Sequence, residues 1–316
     1  MKKLMVIPLV AAGMAAMVGC SKTPVKEAAK NDAINLANLD TAVAPGTDFY
    51  QYACGGWMKN NPLKPEYARF GTFDQLRDNN QEQIRTLIEG LSETPGQEGS
   101  VGQKIGMLFA MGMDSVKLNE DGYAPIKDQL AEINKLGTKD ELTKMVATLH
   151  KEGMAPFFAL YVGADEKNSS MNIVQLYQAG LGMGDRDYYL LEDESSQKMR
   201  EAYKNYITRL FTLIGSSPEQ ADAAVNAIMK IERGIAEVSF SREDLRDSQK
   251  NYNKMSIEDF KAKNDLLNWD VYFESMGMMD IKYLDAKQLS FYEGLSALMK
   301  NTTLDEQKYY LTFNLL

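Results

Sequence analysis

One histidine, two cysteines and two tryptophans in 316 residues leave this chain with little of the usual catalytic chemistry. A catalytic zinc ion takes three protein ligands with an open fourth position, usually including two histidines at i and i+4 on one helix with a glutamate beside the first. His150 alone cannot supply that pair. It would also have to be the base of any Ser-His-Asp triad, and nothing in the sequence marks a nucleophile for it. No glycine-rich phosphate loop occurs. Basic excess is missing too: 35 Lys and Arg against 44 Asp and Glu give a formal charge of −9, which argues against a nucleic-acid partner.

What is there reads as a globular protein. A hydrophobic fraction of 44% is enough for a real core, in one large domain or two smaller ones. Lys2 and Lys3 precede an apolar run from Leu4 to Val18. At about 15 residues, interrupted by Pro8 and Gly13, it falls short of the roughly 20 that a spanning helix needs and reads as a cleaved signal over residues 1–19. The ending Val18-Gly19-Cys20 resembles a bacterial lipoprotein signal, in which Cys20 becomes the acylated first residue. An ordinary secretory signal and an uncleaved membrane anchor are the alternatives. Loss of Lys2 and Lys3 takes the charge to −11. Residues 20–44, polar and alanine-rich without periodicity, fit a flexible tether.

From Asp48 an aromatic run (Phe49, Tyr50, Tyr52, Trp57), broken by Gly55 and Gly56 and followed by Pro62 and Pro65, predicts an irregular arm whose aromatics pack down. Thr72 is a candidate N-cap for a long helix carrying Phe73, Leu76, Ile84, Leu87, Ile88 and Leu91. SETPGQEGS is a loop by composition, and helices follow around Ile105 and around Leu130. Thr138 with Glu141, Ser217 with Gln220 behind Pro218, and Thr303 with Glu306 are capping boxes that open three further helices. Another helix runs through Met199, Tyr203 and Ile207, and Ser256 caps one containing Phe260. Residues 157–178 hold two β-prone runs around a polar turn, which predicts a hairpin. The fold class is therefore mainly α, a multi-helix cap-like domain with a small β-hairpin, preceded by an irregular arm. The last helix meets no terminating signal before Leu316, so the sequence reads as truncated within a longer protein.

Four segments carry a resemblance: DFYQYACGGW through ARFGTFDQLRD, LYQAGLGMGDRDYYL, IERGIAEVSFSREDLRDSQKNYNKMS and LDEQKYYLTFNLL. In this order they resemble the N-terminal part of the neprilysin and endothelin-converting-enzyme family of zinc metallopeptidases, from about Asp48 to the end. The resemblance implies that residues 45–316 form the N-terminal peptidase domain, a helical cap over a catalytic domain, enclosing a cavity that admits only oligopeptides. It implies that zinc belongs to the complete enzyme, since the family's His-Glu-x-x-His helix is absent here and this chain binds no metal. ARFGTFD matches a run in which the arginine, here Arg69, binds the C-terminal end of the peptide, and the aspartate, here Asp74, lies beside it. A guanidinium can hold a carboxylate by two parallel hydrogen bonds, and a nearby aspartate can fix its orientation. Cys54 resembles a family cysteine that in animal members pairs with one near the far C-terminus; that partner is absent from this chain, so a disulfide to the missing half and a free thiol both stay open.

Other candidates read as structure. His150 sits in the last turn of its helix, where a cation is favoured. Asp185 and Asp187 read as a turn that opens a helix. Glu232, Arg233, Arg242, Glu243, Arg246 and Asp247 read as solvated or interhelical ion pairs. The expectation is an exported, membrane-anchored lipoprotein that is the cap and substrate-binding portion of an oligopeptidase, inactive as this fragment, whose partners are an oligopeptide and the catalytic half. The rivals are a non-catalytic helical lipoprotein that binds peptides or a protein partner, and a split enzyme whose catalytic half is encoded separately.

Overall fold

The computed structural model describes residues 34–63 and 70–316. The expected signal, Cys20 and Arg69 lie outside the described residues. Two compact units follow one another along the chain, with the boundary between Met113 and Asp114.

The first unit contains α1 (Phe49–Asn60), α2 (Thr72–Glu93) and α3 (Val101–Met113). The aromatic run is thus a helix rather than an irregular arm. Asp48 starts it, its side chain accepting the Gln51 N–H at 2.9 Å. Phe49 and Tyr50 stay exposed instead of packing down. Gly56 belongs in this helix because of a close approach: a Cβ there would stand 2.4 Å from the Ala37 carbonyl oxygen and 2.7 Å from that of Leu39. Residues Leu36 to Asp40, which the sequence places in the tether, therefore pack on α1. The Asp40 N–H donates to the Tyr52 carbonyl at 2.8 Å. α2 begins one residue earlier than its sequence signal, with Gly71 as N-cap and Thr72 already helical.

The second unit holds α4 (Ser115–Asp121), α5 (Lys127–Lys135), α6 (Lys139–Lys151), β1 (Phe158–Asp165), β2 (Asn168–Gln178), α7 (Asp187–Leu190), α8 (Glu194–Leu213), α9 (Pro218–Val238), β3 (Lys254–Ser256), α10 (Ile257–Lys263), α11 (Trp269–Met276), β4 (Tyr283–Ala286), α12 (Leu289–Lys300) and α13 (Leu304–Leu315). The mainly helical class holds, and all three predicted capping boxes form in both directions. The predicted hairpin is β1 against β2, paired from Phe158 with Gln178 to Asp165 with Asn168. It is half of a four-stranded sheet of order β1-β2-β4-β3, in which β4 runs parallel to β2 and antiparallel to β3. β3 and β4 are too short for alternation to reveal them in sequence.

Phe158 sits at the centre of the core, fully buried and 4.7 to 6.0 Å by ring centroids from His150, Trp269, Tyr272 and Tyr292. Each aromatic so buried contributes about 1.5–3 kcal/mol, with edge-to-face geometry adding to it. Charges close the far end of the sheet. Asp165 accepts from Lys254 Nζ at 2.7 Å and from the Tyr252 hydroxyl at 2.8 Å. The Lys254 bond holds the Asp165 carboxyl down at about 2. Lys287 pairs with Asp285 at 3.0 Å and with Glu166, tying the hairpin turn to β4. Among the described residues no helix is long and apolar enough to cross a membrane.

Candidate functional site

The ARFGTFD run ends on the first turn of α2, and Asp74 occupies its third helical position. One carboxylate oxygen reaches back to accept the Gly71 N–H at 3.0 Å, while the other lies 3.2 Å from Arg77 Nη1. Asp74 therefore satisfies an otherwise orphaned N-terminal donor and places negative charge where the helix dipole favours it. Before it, Phe70 stacks on Trp57 of α1, with ring centroids 6.0 Å apart and planes 19° apart. Phe73 stands 88% exposed beside Asp74. Phe70 to Asp74 line a shallow cavity of about 280 Å³. A fixed carboxylate, a stacked aromatic pair and an exposed aromatic thus share one helix start.

Asp185 and Asp187 behave as the sequence reading expects. Asp185 accepts the Asp187 N–H at 2.9 Å and pairs with Arg242, and α7 begins at Asp187. Cys54 is a free, half-buried thiol on α1.

His150 departs from the expectation in charge. Its Nδ1 lies 2.6 Å from the Tyr272 hydroxyl and its Nε2 3.2 Å from the Pro156 carbonyl oxygen. A carbonyl can only accept, so Nε2 carries the proton and Nδ1 accepts from Tyr272. Burial lowers the ring to about 4, so desolvation overrides the helix dipole and the imidazole is neutral. Both nitrogens are engaged in the core. Zinc does not fit these residues: the one imidazole is spent, and among the described residues no three His, Cys, Asp or Glu groups cluster.

Glu232 is the larger correction. Placed by sequence among solvated or interhelical ion pairs, it is 1% exposed and bonded to tyrosines and a backbone amide. Tyr189 donates to Oε2 at 2.6 Å, and Tyr203 donates to both oxygens at 3.0 and 2.9 Å. The Gly182 N–H donates to Oε1 at 3.3 Å. Desolvation raises the carboxyl to about 7 in spite of these donors. Burial, then the carboxylate, push both tyrosines well above their ordinary range, so they remain donors. A Cβ at position 182 would stand 1.8 Å from the Tyr203 hydroxyl, so a larger residue there would displace Tyr203 from Glu232. Glu232 occupies the buried face of α9 beside Ile228, Ile231 and Ile235. A lone acid at core spacing was the available signal.

The comparisons follow the same outline. A family model described as peptidase family M13 matches residues 45–316. Endothelin-converting enzyme 1 of Mus musculus is 29% identical over 340 residues, covering 99% of the chain and 43% of the mouse protein. The Homo sapiens enzyme of that name is 30% identical over 292 residues, covering 89% and 37%. Among solved structures, the Mycobacterium tuberculosis zinc metalloprotease Zmp1 in complex with an inhibitor superposes with a TM-score of 0.78 at 24% identity, over 89% of this chain and 43% of that one. PepO from Lactobacillus rhamnosis HN001 gives 0.66 at 19%, over 85% and 42%. At these identities the structures show a shared fold. The chain spans less than half the length of each relative.

Proposed function

Because the chain belongs to peptidase family M13, we propose that it is the helical N-terminal portion of an exported zinc metallopeptidase acting on oligopeptides, and that it supplies one edge of the substrate site. The zinc ion and the general base come from the remainder of the complete enzyme, since the donors of this chain do not fit them. At the substrate edge Arg69 holds the free carboxylate of the peptide and Asp74 keeps the guanidinium oriented. Cys20, acylated, anchors the protein at a membrane facing the periplasm or the cell exterior. The observation that carries the reading is the ARFGTFD run inside the matched span, with Asp74 fixed at a helix start.

A charge-assisted bidentate contact contributes on the order of 1.5–3 kcal/mol, about ten- to hundredfold in affinity. In the complete enzyme, Arg69→Ala is expected to raise KM by that factor for peptides with a free C-terminus near the cut, while the matched amides lose far less. Asp74 serves the helix cap as well as the arginine, so Asp74→Ala should lower the melting temperature and weaken acid binding together. Equal losses for acid and amide with Arg69→Ala would remove Arg69 from the substrate site.

A further inference from the structure

Two segments singled out in the sequence, Leu176 to Leu190 and Ile231 to Ser256, meet at Glu232, and the proposed role uses neither. The first contains the loop Gly180–Gly184, which borders a cavity of about 570 Å³ that Glu232 also lines. The loop is held at three levels. Before it, Gln178 exchanges two hydrogen bonds with Phe240, and at its first residue the Tyr310 hydroxyl donates to the Gly180 carbonyl at 2.8 Å. After it, Arg186 donates to the Ser239 carbonyl and Asp185 pairs with Arg242. In the middle, two consecutive N–H groups depend on the acid: Gly182 donates to Glu232 directly, and Met183 donates at 2.9 Å to the hydroxyl of Tyr189, which itself donates to Glu232.

Three donors converging on one carboxyl suit its ionised form, which only accepts. A proton on Glu232 turns one acceptor position into a donor. The new O–H needs an acceptor where the Tyr189 and Tyr203 hydroxyls now donate, and a neutral carboxyl accepts more weakly than a carboxylate, so the weakest of the three bonds is the first to be lost. The Gly182 N–H is the longest of these bonds and the only one carried by a loop. We propose that Glu232 is a proton-operated latch: ionised, it ties Gly182 and Met183 down across α7, α8 and α9, and protonated, it releases the middle of the loop and widens the cavity beside it.

The surroundings leave the proton to decide. Facing Glu232 are Tyr189 from α7, Tyr203 from α8 and, at longer range, Tyr310 from α13, all held as neutral phenols. The nearby cations are engaged elsewhere, Arg233 with the Tyr189 carbonyl and Glu237, Arg186 with Ser239, and Arg242 with Asp185. The switching range falls near neutrality, where burial has moved the acid.

Residue-resolved amide exchange on the whole chain at about pH 5.5 and about pH 8.5 tests the latch, with rates corrected for intrinsic pH dependence. Protection of the Gly182 and Met183 amides should rise on the order of tenfold at the higher pH, the worth of one hydrogen bond. The Gly184 amide, bonded to the Leu181 carbonyl, should not follow. In Glu232→Gln, protection at 182 and 183 should be low and equal at both pH values. Because that variant can fail to fold, the carbon-13 signal of the Glu232 carboxyl is also titrated in the unaltered protein. Its midpoint should lie near neutrality and coincide with the change at 182 and 183. Equal protection at both pH values, or a midpoint below about 5, would overturn the proposal.

Discussion

The Tyr272 hydroxyl donates to Nδ1 of His150 across 2.6 Å, fastening α11 to α6 with the ring neutral. The unfolded chain binds a proton at this ring below about pH 6.5, while the folded chain resists until about 4. Its stability contribution is therefore full above 6.5 and is lost as pH falls through 4, by on the order of 3 kcal/mol. Glu232 has the opposite sign. Its folded value of about 7 lies above the ordinary 4.5, so its contribution is full below 4.5 and is lost as pH rises through 7, by a similar amount. The two nearly offset between pH 5 and 6. Urea unfolding of His150→Gln should show stability falling as pH rises across that interval, and Glu232→Gln should show it rising. Parallel slopes in the two variants would contradict both assignments.

Gly56 and Gly90 both lie inside helices, yet the same substitution should act in opposite directions. Alanine is favoured over glycine in a helix by roughly 1 kcal/mol. At Gly90 nothing lies within 4 Å of the new Cβ, so Gly90→Ala should stabilise by about that much. At Gly56 the Cβ would meet backbone atoms of Ala37, Asn38 and Leu39, which cannot swing aside as a side-chain tip can. Overpacking of this kind costs about 1–3 kcal/mol, so Gly56→Ala should destabilise on balance. Thermal melts of the two variants give the signs directly.

If Cys20 carries acyl chains, each buried methylene adds about 0.8 kcal/mol of membrane affinity, and two or more chains hold the protein without a spanning helix. Cys20→Ala should move it from the membrane to the soluble fraction or block its processing, as fractionation and intact mass would show. A processed Cys20→Ala protein that still sediments with membranes would end the lipid-anchor reading.

The legible parts of the fold were those where local chemistry and tertiary packing agree. Thr138 with Glu141 announces α6 because both partners of the box lie three residues apart and an apolar stripe follows at once. The hairpin showed itself by two β-prone runs around a polar turn. α1 was hidden because Gly55 and Gly56 look like breakers until the chain at Ala37 and Leu39 is seen lying against them. β3 and β4, with three and four residues, acquire their identity only from each other and from β2. At the candidate site, Asp74 was visible through the motif, whereas its capping of Gly71 was not, since sequence pointed to Thr72. Glu232 was misplaced for a different reason. Sequence reading grouped it with its charged neighbours, while the helical period puts it among isoleucines.

The parallel pairing of Val174–Leu176 with Leu284–Ala286 sets an order of events during synthesis. β1 and β2 can close on each other within microseconds of emerging, being local. Their central neighbour in the sheet is not yet made, because α7 through α11 must be translated first. At about 5–20 residues per second the wait is on the order of ten seconds. Through that interval the second edge of β2 offers unpaired amide and carbonyl groups between Val174 and Leu176, a stretch without charge, to any extended strand that arrives before Tyr283 to Ala286. A nascent chain stalled within that window is thus most vulnerable to capture at β2, and a chaperone that shields this protein has its work set there.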